Sequence, residues 1–385
     1  MNILAWILTL SILAGQLIKI PIGTYGGVTL LDVAVLTFCI AGLLKLKFKL
    51  KIPPLFIKSA LFFILIAVVS LILTPLNLQL GQYFISSLYI IRFSGFILLG
   101  WLIYVGVFPP LQKNIPQIFV YSGVSLAILG LLQFIFLPDL WFLTKWGWDP
   151  HYFRTASTFL DPNFAGSYFT LTLVLLTSYL GGRNTMTRRV FYVMFTITYI
   201  ALLTTFSRGA YLGFAVGFLT LSILNKSFRW GIVTILLFSG LLMGFSSYQK
   251  LVAQPRGIDR AESAEFRLST WQQGWQLLSS HPILGVGFNA YRFALREYDL
   301  ADEQFLKSHG ASTNDSSLLH IAATTGVPGL ASYLFFLISL IWIGKQNFIL
   351  QAGLLGLLAQ SFFANTLFYP FILIWVVVIA TFHKK

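Results

Sequence analysis

Apolar residues run through this chain in long blocks, and each block has about the length needed to cross a bilayer. A helix that crosses the hydrocarbon core needs about twenty apolar residues. By that criterion the pattern predicts an all-α, polytopic membrane protein with about 12 spans. The predicted spans are residues 2–18, 26–44, 55–74, 84–106, 116–137, 163–181, 190–206, 209–225, 231–247, 316–343, 347–364 and 366–382.

The composition agrees with this pattern. Of the 385 residues, 57% are hydrophobic and 10% are charged, whereas a soluble domain carries about 25% charged residues. The first apolar block lacks a basic leader and a small-residue cleavage site, so we interpret it as a retained helix. We see no internal repeat, and we expect residues 1–385 to form a single integral-membrane domain.

The net charge of +14 is explained by membrane topology before nucleic acid, because cytoplasmic loops of membrane proteins are rich in Lys and Arg. Short basic loops follow alternate predicted spans, which places both termini in the cytoplasm. These loops hold Lys45, Lys47, Lys49, Lys51, Lys113, Arg183, Arg188, Arg189, Lys226, Arg229, Lys345, Lys384 and Lys385.

Most of the remaining basic residues lie on the predicted outer side, in long loops at residues 138–162 and 248–315 and at Arg208. Positive charge is not what insertion favours on that side, so we infer an anionic ligand at the outer face. In the second loop, which precedes the tenth span, Arg267, Trp271 and Trp275 recur at helical spacing. This spacing indicates a helix lying along the membrane interface.

Two polar stretches interrupt the apolar pattern at predicted outer ends of spans. Arg154 precedes Asp161-Pro-Asn163, which equally describes an ordinary turn and helix start. Ser207-Arg208-Gly209 separates two apolar runs, and a helix N-terminus beside a guanidinium suits a phosphate. The alternative is an arginine that reaches the interface from an ordinary hairpin.

The stretch STNDSSLLHIAATTGVPGL, residues 312–330, opens with polar side chains and continues as an apolar helix. We expect Asp315 and Ser316 to cap that helix, and Gly326 and Gly329 to allow close packing against a neighbouring helix. His320 lies more than a turn inside. It is either a functional residue or a neutral, hydrogen-bonded core histidine.

Arg92 lies near the middle of the predicted fourth span. An ionisable side chain at that depth needs a cavity or a carboxylate. We predict Asp32, in the outer half of the second span, as its partner.

These stretches, in this order, make the chain similar to the O-antigen ligase/polymerase superfamily of bacterial envelope glycosyltransferases. The resemblance covers residues 150–345 and includes the loop at residues 248–315. It is carried by Arg154 with Pro162-Asn163, Thr-Phe-Ser207-Arg208-Gly, Arg267 with Trp271, His-Pro-Ile-Leu-Gly285-Val-Gly287, and the Gly-x-x-Gly of Gly326 and Gly329.

In that superfamily a histidine at the end of the large loop is followed by Asn, Ser or Gln, then nine residues, then Gly-x-x-Gly. Counting back from Gly326 places Asp315 and Ser316 in the first two positions. The chain therefore has aspartate where the family has its candidate catalytic histidine. The resemblance implies Asp315 as the base, with His309 as the second candidate.

The reaction that the resemblance implies is glycan transfer from an undecaprenyl-diphosphate carrier to an acceptor hydroxyl, on the outer face of the bacterial cytoplasmic membrane. Arginines would bind the diphosphate and stabilise the charge that develops on it. The arginines expected in this role are Arg154, Arg208 and Arg267, and the supporting residues are Ser207, Asn163, Ser316, Gly326 and Gly329. We expect no metal, no cofactor and no nucleic-acid partner.

Several alternatives stay open on the sequence alone. The acceptor is a glycan, a lipid or a protein, so polymerase, ligase and protein oligosaccharyltransferase are equally compatible. A flippase or transporter would spread ionisable residues along a path and show paired repeats, whereas the polar residues here concentrate at the outer ends of spans. A non-catalytic membrane scaffold is supported by the aspartate at position 315.

Overall fold

A computed structural model describes residues 1–22, 26–46, 52–179, 187–256, 260–343 and 347–382 of the chain. The topology prediction used several basic residues that lie outside these ranges. They are Lys47, Lys49, Lys51, Arg183, Lys345, Lys384 and Lys385. Their part of the orientation stays a prediction.

The described chain is almost entirely helical, and each predicted span coincides with a helix. The helices are α1 Ile3–Ala14, α2 Leu30–Leu46, α3 Leu55–Ile72, α4 Leu80–Tyr104, α5 Pro109–Lys113, α6 Ile115–Phe136, α7 Pro162–Thr177, α8 Arg188–Thr204, α9 Arg208–Leu224, α10 Phe228–Tyr248, α11 Arg260–Ser280, α12 Tyr291–Glu297, α13 Glu303–Lys307, α14 Ser317–Ile343, α15 Phe348–Gln360 and α16 Pro370–Ala380.

Among the described residues, five helical segments are long and apolar enough to cross a membrane. They are Leu55–Ile72, Leu80–Tyr104, Ile115–Phe136, Phe228–Arg256 and Gly310–Trp342. Four shorter apolar helices accompany them: Ile3–Ala14, Arg208–Leu224, Phe348–Gln360 and Pro370–Ala380. The chain is an integral membrane protein, and its count of 12 spans stays a prediction.

The last described helix, α16, lies at the centre of the core. All of its residues are buried, as expected for a helix that is hydrophobic on every side. The indole of Trp375 packs edge-on against Phe119, with ring centroids 6.2 Å apart. The helix contacts α4, α6, α7 and α15, so these helices surround it and have little room to move independently.

A short β-hairpin departs from the all-α prediction. Strand β1, Lys19–Ile22, pairs antiparallel with β2, Gly26–Thr29, so the helix predicted to begin at residue 26 begins at Leu30. Two consecutive glycines weaken a helix by about 1 kcal/mol each relative to alanine, which favours the extended form here.

An ion pair ties this hairpin to α4. The Nε of Arg92 lies 2.7 Å from Oδ1 of Asp32, and its Nη2 lies 2.7 Å from Oδ2. Nη2 also donates to the carbonyl of Gly27 at 3.0 Å, and the backbone N–H and hydroxyl of Thr29 donate to the same carboxylate. The predicted partnership of Arg92 with Asp32 is confirmed.

The segment between α10 and α14 is largely helical. The predicted helical spacing of Arg267, Trp271 and Trp275 is confirmed, because all three lie in α11. Trp271 packs near Phe363, with ring centroids 6.0 Å apart, while 64% of Trp275 is exposed. Whether this segment is an external loop stays a prediction.

Helix α14 is broken at Gly326, which has φ 69° and ψ −173°, two residues before Pro328. A Cβ at position 326 would lie 2.3 Å from the carbonyl oxygen of Ile283. Gly326 thus packs against the turn after α11, and the prediction of packing against a neighbouring helix is wrong. At Gly329 the nearest atoms belong to Thr325 of the same helix, and the prediction of packing against a neighbouring helix there stays a prediction.

The break also leaves two carbonyls without their usual partners in the helix. Val286 N–H donates to Ala323 O at 3.0 Å, and Gly287 N–H donates to Thr324 O at 3.1 Å. Buried carbonyls must find a donor, so the turn at residues 281–287 completes the broken helix. This fixes the part of α14 before the break, which directly follows the polar residues at the start of the 312–330 stretch.

Candidate active site

A cavity of about 520 Å³ lies where the N-terminal ends of α7, α14 and α16 meet the β-hairpin and the loop between α6 and α7. Its lining includes four of the five predicted charged site residues. They are Arg154, Arg267, His309 and Asp315. Asn163, predicted as a supporting residue, lines it as well.

One wall of the cavity is rich in carboxylates, and we call Asp149, Asp161 and Asp315 the acidic wall. Asp161 caps α7 by accepting from the N–H groups of Asn163 and Phe164. Burial raises the pKa of the Asp161 carboxyl, while these two N–H groups and the charge of Arg154 lower it. The helix-start interpretation of Asp161 is therefore correct and compatible with a place in the cavity.

Asp315 does not cap α14. Its Oδ2 lies 3.4 Å from the hydroxyl of Thr270 on α11, and the Arg267 guanidinium and the Asp161 carboxylate are close enough to act on its charge. Ser316 is the cap, since its hydroxyl accepts from the N–H of Leu319 at 3.4 Å. The carboxylate is thus left facing the cavity.

The neighbouring Asn314 holds this helix start in place. Its side-chain amide donates to the carbonyl of Thr270 and, at 3.0 Å, to the hydroxyl of Tyr291. Its backbone N–H donates to Nδ1 of His320 at 3.3 Å. His320 is a buried, hydrogen-bonded histidine, in agreement with the second of the two alternatives, and its ring also lines the cavity.

Two arginines line the cavity beside the acidic wall, Arg154 and Arg267, and they differ in their hydrogen bonds. Arg154 is 6% exposed; its Nε donates to the carbonyl of Thr205 at 2.8 Å, and its Nη1 lies 3.5 Å from Nδ1 of His151. Arg267 is half-buried on α11 and acts electrostatically on both Asp161 and Asp315. Arg267 therefore has the more accessible guanidinium of the two.

Arg208 is placed differently from the other predicted arginines. It is exposed at the first residue of α9, and its guanidinium lies 5.7 Å from the ring centroid of Phe245. Among the described residues that line the cavity, Arg208 is not included. Its neighbour Ser207 caps α9 and donates to Oδ1 of Asn163 at 2.8 Å, so Ser207 reaches the cavity only through Asn163.

His309 is the other predicted base. Its ring packs on Trp148 with centroids 4.5 Å apart, and its backbone N–H donates to the carbonyl of Gly147 at 2.8 Å. Burial lowers the pKa of His309 to about 4, and the charges of Lys19 and Arg292 act in the same direction. His309 is therefore neutral at pH 7 and a weak base.

Sequence reasoning missed Asp149. Asp149 lines the cavity and keeps an exposed surface. Desolvation by the cavity walls, and after it the nearby carboxylates of Asp161 and Asp315, raise the pKa of Asp149 to about 6, while the charge of Arg154 lowers it. The signal available was the run Trp-Gly-Trp-Asp-Pro-His at residues 146–151, which is aromatic and turn-forming in a predicted loop.

A second group of lining residues, Lys19, Arg92 and Arg292, carries positive charge, and we call it the basic wall. Sequence reasoning predicted Arg92 beside Asp32 but missed Lys19 and Arg292. Arg292 is buried and donates to the carbonyls of Leu306 and Ser308 at 2.9 and 2.7 Å. Lys19 enters from the β-hairpin. A lone lysine between apolar residues has no motif that sequence reasoning could have used.

In the described part of the chain, no group of three or more His, Cys, Asp or Glu side chains is placed to hold a metal ion. The acidic wall is instead interleaved with arginines. The arrangement can hold an anionic group while presenting a carboxylate to a neutral hydroxyl.

Comparison with known proteins supports the resemblance seen in the sequence. Residues 191–334 match the family model Wzy_C, described as O-antigen ligase. The matched range contains Arg208, Arg267, His309 and Asp315, whereas Arg154 and Asn163 precede it. No curated protein matches the chain. Residues 191–334 are thus similar to the O-antigen ligase family, and the comparison covers less than half of the chain.

Proposed function

We propose that this chain, through its O-antigen ligase region, transfers a glycan from an undecaprenyl-diphosphate carrier to a hydroxyl acceptor at the outer face of the bacterial cytoplasmic membrane. One observation carries the proposal. A single cavity brings Asp315 beside Arg267, so that a proton acceptor and a cation meet where a diphosphate ester of a sugar would be cleaved.

The reaction needs a base and a stabilised leaving group. Asp315 accepts the proton of the acceptor hydroxyl, and the oxygen attacks the anomeric carbon of the donor sugar. The bond from that carbon to the phosphate oxygen breaks, and undecaprenyl diphosphate leaves with the electron pair. Arg267 stabilises the charge that develops on the phosphate, an interaction worth most when water is excluded.

Arg154 has a supporting part in this scheme. Its guanidinium is anchored on Thr205 and His151, so its charge acts on the cavity while fewer of its N–H groups are available. Arg208 would act on the diphosphate outside the cavity, where it lies on the exposed end of α9. The three arginines are therefore unequal in the proposed reaction.

The cavity also offers groups suited to sugars. Asn365 is 7% exposed, and among the described residues its Oδ1 has no hydrogen-bond partner. This oxygen can accept from a sugar hydroxyl, and the rings of Trp148, Phe266 and Phe363 line the same space. A buried amide beside aromatic rings is a suitable surface for a neutral glycan. The acceptor, whether a glycan, a lipid or a protein, has to bring its hydroxyl group to this surface.

A transport function has less support. The sequence evidence for it was Arg92 and His320 inside predicted spans. Arg92 is paired with Asp32, and His320 accepts from Asn314. Both ionisable groups thus hold structural elements together.

The proposal is tested with purified protein in lipid, supplied with an undecaprenyl-diphosphate glycan and scored for lengthened or transferred glycan. Arg267→Ala is expected to lower kcat by about 10²–10³-fold, the loss typical of removing one group that stabilises developing charge. The matched control is Arg296→Ala on α12, because Arg296 is an exposed arginine paired with Glu303 outside the cavity.

Full activity of Arg267→Ala would remove the proposed role of this cavity. Equal losses in Arg267→Ala and Arg296→Ala would have the same meaning, since only the first residue lines it. The distribution of products then separates the acceptors: a ladder of lengths indicates a polymerase, and a single addition indicates a ligase.

A further inference from the structure

The two walls of the cavity differ in charge. The basic wall holds Lys19, Arg92 and Arg292, and the carboxylate paired within it is that of Asp32. The acidic wall sets three carboxylates against Arg154 and Arg267. A doubly anionic group is therefore attracted more strongly to the basic wall than to the acidic one.

The side chain of Lys19 crosses the β-hairpin to reach this wall. A Cβ on Gly27 would lie 2.1 Å from Cε of Lys19 and 2.9 Å from its Cγ. The aliphatic stem of the lysine thus lies directly on the Gly27 backbone, where any side chain would displace it. The carbonyl of Gly27 is held by Arg92, so the same ion pair that anchors the hairpin positions Lys19.

The three cations of the basic wall differ in the hydrogen bonds that their N–H groups already make. Arg92 donates to Asp32 and Gly27, and Arg292 donates to two carbonyls. Among the described residues, the ammonium group of Lys19 makes no hydrogen bond or ion pair, while its backbone pairs in the hairpin. Its ammonium group has three donors, which makes it the group of this wall best placed to bind a ligand.

The surroundings of Lys19 indicate which anion this is. Leu17, Ile18 and Ile20 flank it in the chain and are between 53% and 63% exposed. Nearby on α4, Phe84 is 54% exposed, and the next residue, Ile85, lines the cavity. Exposed apolar side chains of a membrane protein face lipid, so the surroundings of Lys19 suit an anion that carries a hydrocarbon chain.

We propose that Lys19 binds the diphosphate of the polyprenyl carrier, with Arg92 and Arg292 adding their charge from behind and Gly27 leaving room for the lysine stem. This inference rests on the proposed function, because it names where the donor of that reaction is held. Lys19 then holds the diphosphate together with Arg267, and Asp315 receives the acceptor hydroxyl.

Burial and the charges of Arg92 and Arg292 lower the pKa of Lys19. The two guanidinium groups therefore disfavour the ammonium form more than the carboxylate of Asp32 favours it. A diphosphate adds negative charge, so its binding and the protonation of Lys19 support each other.

The experiment measures binding, independently of glycan transfer. Undecaprenyl diphosphate without a sugar is titrated into the full-length protein in lipid nanodiscs, and Kd is compared for the unchanged protein, Lys19→Met and Lys19→Arg. Loss of one charged hydrogen-bond donor typically weakens binding on the order of 10–100-fold. We expect a loss of that size for Lys19→Met and recovery of most of it for Lys19→Arg.

Gly27→Ala provides a second variant that keeps the charge. Its methyl group displaces the Lys19 stem, so we expect a loss of affinity similar in direction to that of Lys19→Met. The matched control is Lys145→Met, because Lys145 is an exposed lysine in the loop between α6 and α7 and does not line the cavity. Its Kd should equal that of the unchanged protein.

Three further ligands identify the source of the anion. Undecaprenol lacks phosphate, inorganic pyrophosphate lacks the lipid, and a soluble acidic oligosaccharide lacks both. A Lys19-dependent affinity for the lipid diphosphate that exceeds that for pyrophosphate supports the proposal. Lys19 dependence seen with the oligosaccharide alone, or equal Kd values for Lys19→Met and Lys145→Met, would overturn it.

The outcomes also separate this inference from the proposed function. If the protein transfers glycan normally while Lys19→Met leaves both Kd and the KM for donor unchanged, the inference is wrong and the proposed function stands. If Lys19 proves necessary for binding undecaprenyl diphosphate but no glycan is transferred to any acceptor, the binding site stands and the reaction has to be reconsidered.

Discussion

Two parts of the chain line the cavity: the region that matches the O-antigen ligase family and the part before it. They contribute different charged residues. Residues 191–334 supply Arg267, Arg292, His309 and Asp315. The earlier part supplies Lys19, Arg92, Asp149, Arg154 and Asp161. The matched region provides the proposed base and the cation beside it, while the earlier part provides the hairpin and most of the remaining charge.

This difference teaches that the family region alone does not define the cavity. The proposed base, Asp315, lies at a motif position that can be counted from Gly326, so a family pattern can find it. Lys19 follows no pattern and reaches the cavity because Arg92 and Asp32 anchor the hairpin. The matched region is therefore expected to determine the chemistry, and the earlier part to determine which donor is held.

The largest expected effect comes from the matched region. Asp315→Asn keeps the size of the side chain and removes its basicity, so kcat should fall by about 10²–10⁴-fold, the usual contribution of a positioned base. His309→Ala should lower kcat less, because His309 is a weak base. The measurement is glycan transfer by purified variants in lipid.

The control for this prediction is Asp299→Asn. Asp299 is exposed and has φ 52°, a conformation that asparagine adopts readily. A greater loss in His309→Ala than in Asp315→Asn would move the base to the histidine and contradict the assignment.

The next effect is on stability and concerns the earlier part of the chain. Asp32→Ala leaves the Arg92 guanidinium without its carboxylate, where the two side chains are 14% and 18% exposed. Breaking such a pair is expected to cost about 3 kcal/mol. The free energy of unfolding in detergent measures it.

An exposed pair gives the comparison for that loss. Glu303→Ala removes the partner of Arg296, whose side chain is 40% exposed, and should cost less than about 1 kcal/mol. The double variant Asp32→Ala with Arg92→Ala should be less destabilised than the sum of the two single variants. Strict additivity would show that the pair does not hold the hairpin.

A similar or somewhat smaller loss is expected at the break in α14. Gly326→Ala places a methyl group 2.3 Å from the Ile283 carbonyl and forces alanine to φ 69°, which should cost about 1–3 kcal/mol. Gly81→Ala on α4 is the matched change, because no atom lies within 4 Å of its added Cβ. Thermal unfolding should show a lower midpoint for the first variant and little change for the second.

The smallest effects are changes in the free energy of unfolding with pH. They have opposite signs for Asp149, in the earlier part of the chain, and for His309, in the matched region. The pKa of Asp149 is raised to about 6, so the folded state keeps a proton that the unfolded state has released, and stability falls as pH rises from about 4 to 6. The pKa of His309 is lowered to about 4 from 6.5. The unfolded state then takes up a proton first, and stability falls as pH falls through that interval.

Two variants separate these slopes. Asp149→Asn should become more stable than the unchanged protein as pH rises towards 6, and His309→Gln should become more stable as pH falls below 6.5. Unfolding by denaturant at several pH values measures both. If the stability differences between these variants and the unchanged protein do not vary with pH, neither group titrates as predicted.

Much of the helical fold was accessible from the sequence, because apolar block length is a strong and local signal. Each predicted span coincides with a helix, and the Arg92–Asp32 pair followed from the cost of an isolated charge in a membrane. The β-hairpin was not predicted, since hydropathy treats Gly26-Gly27 as part of an apolar block. The kink at Gly326 was predicted as a site of packing, but with the wrong partner.

The site was accessible only where a motif fixed the spacing. Arg154, Arg267, Asp315 and His309 line one cavity although they are far apart in the chain. Arg208 was grouped with them because its neighbours suit a phosphate, yet its side chain turns towards Phe245 on α10. Spacing along a helix end does not determine on which side a long side chain lies, and that is set by packing between helices.

The central position of α16 has a consequence for biogenesis. The ribosome releases this segment after all the other described helices, although it fills the middle of their bundle. The earlier helices therefore have to leave a slot open in the bilayer until α16 has been synthesised. Pro370, at the start of α16, also lines the cavity, so a nascent chain lacks part of its binding chamber until α16 is inserted.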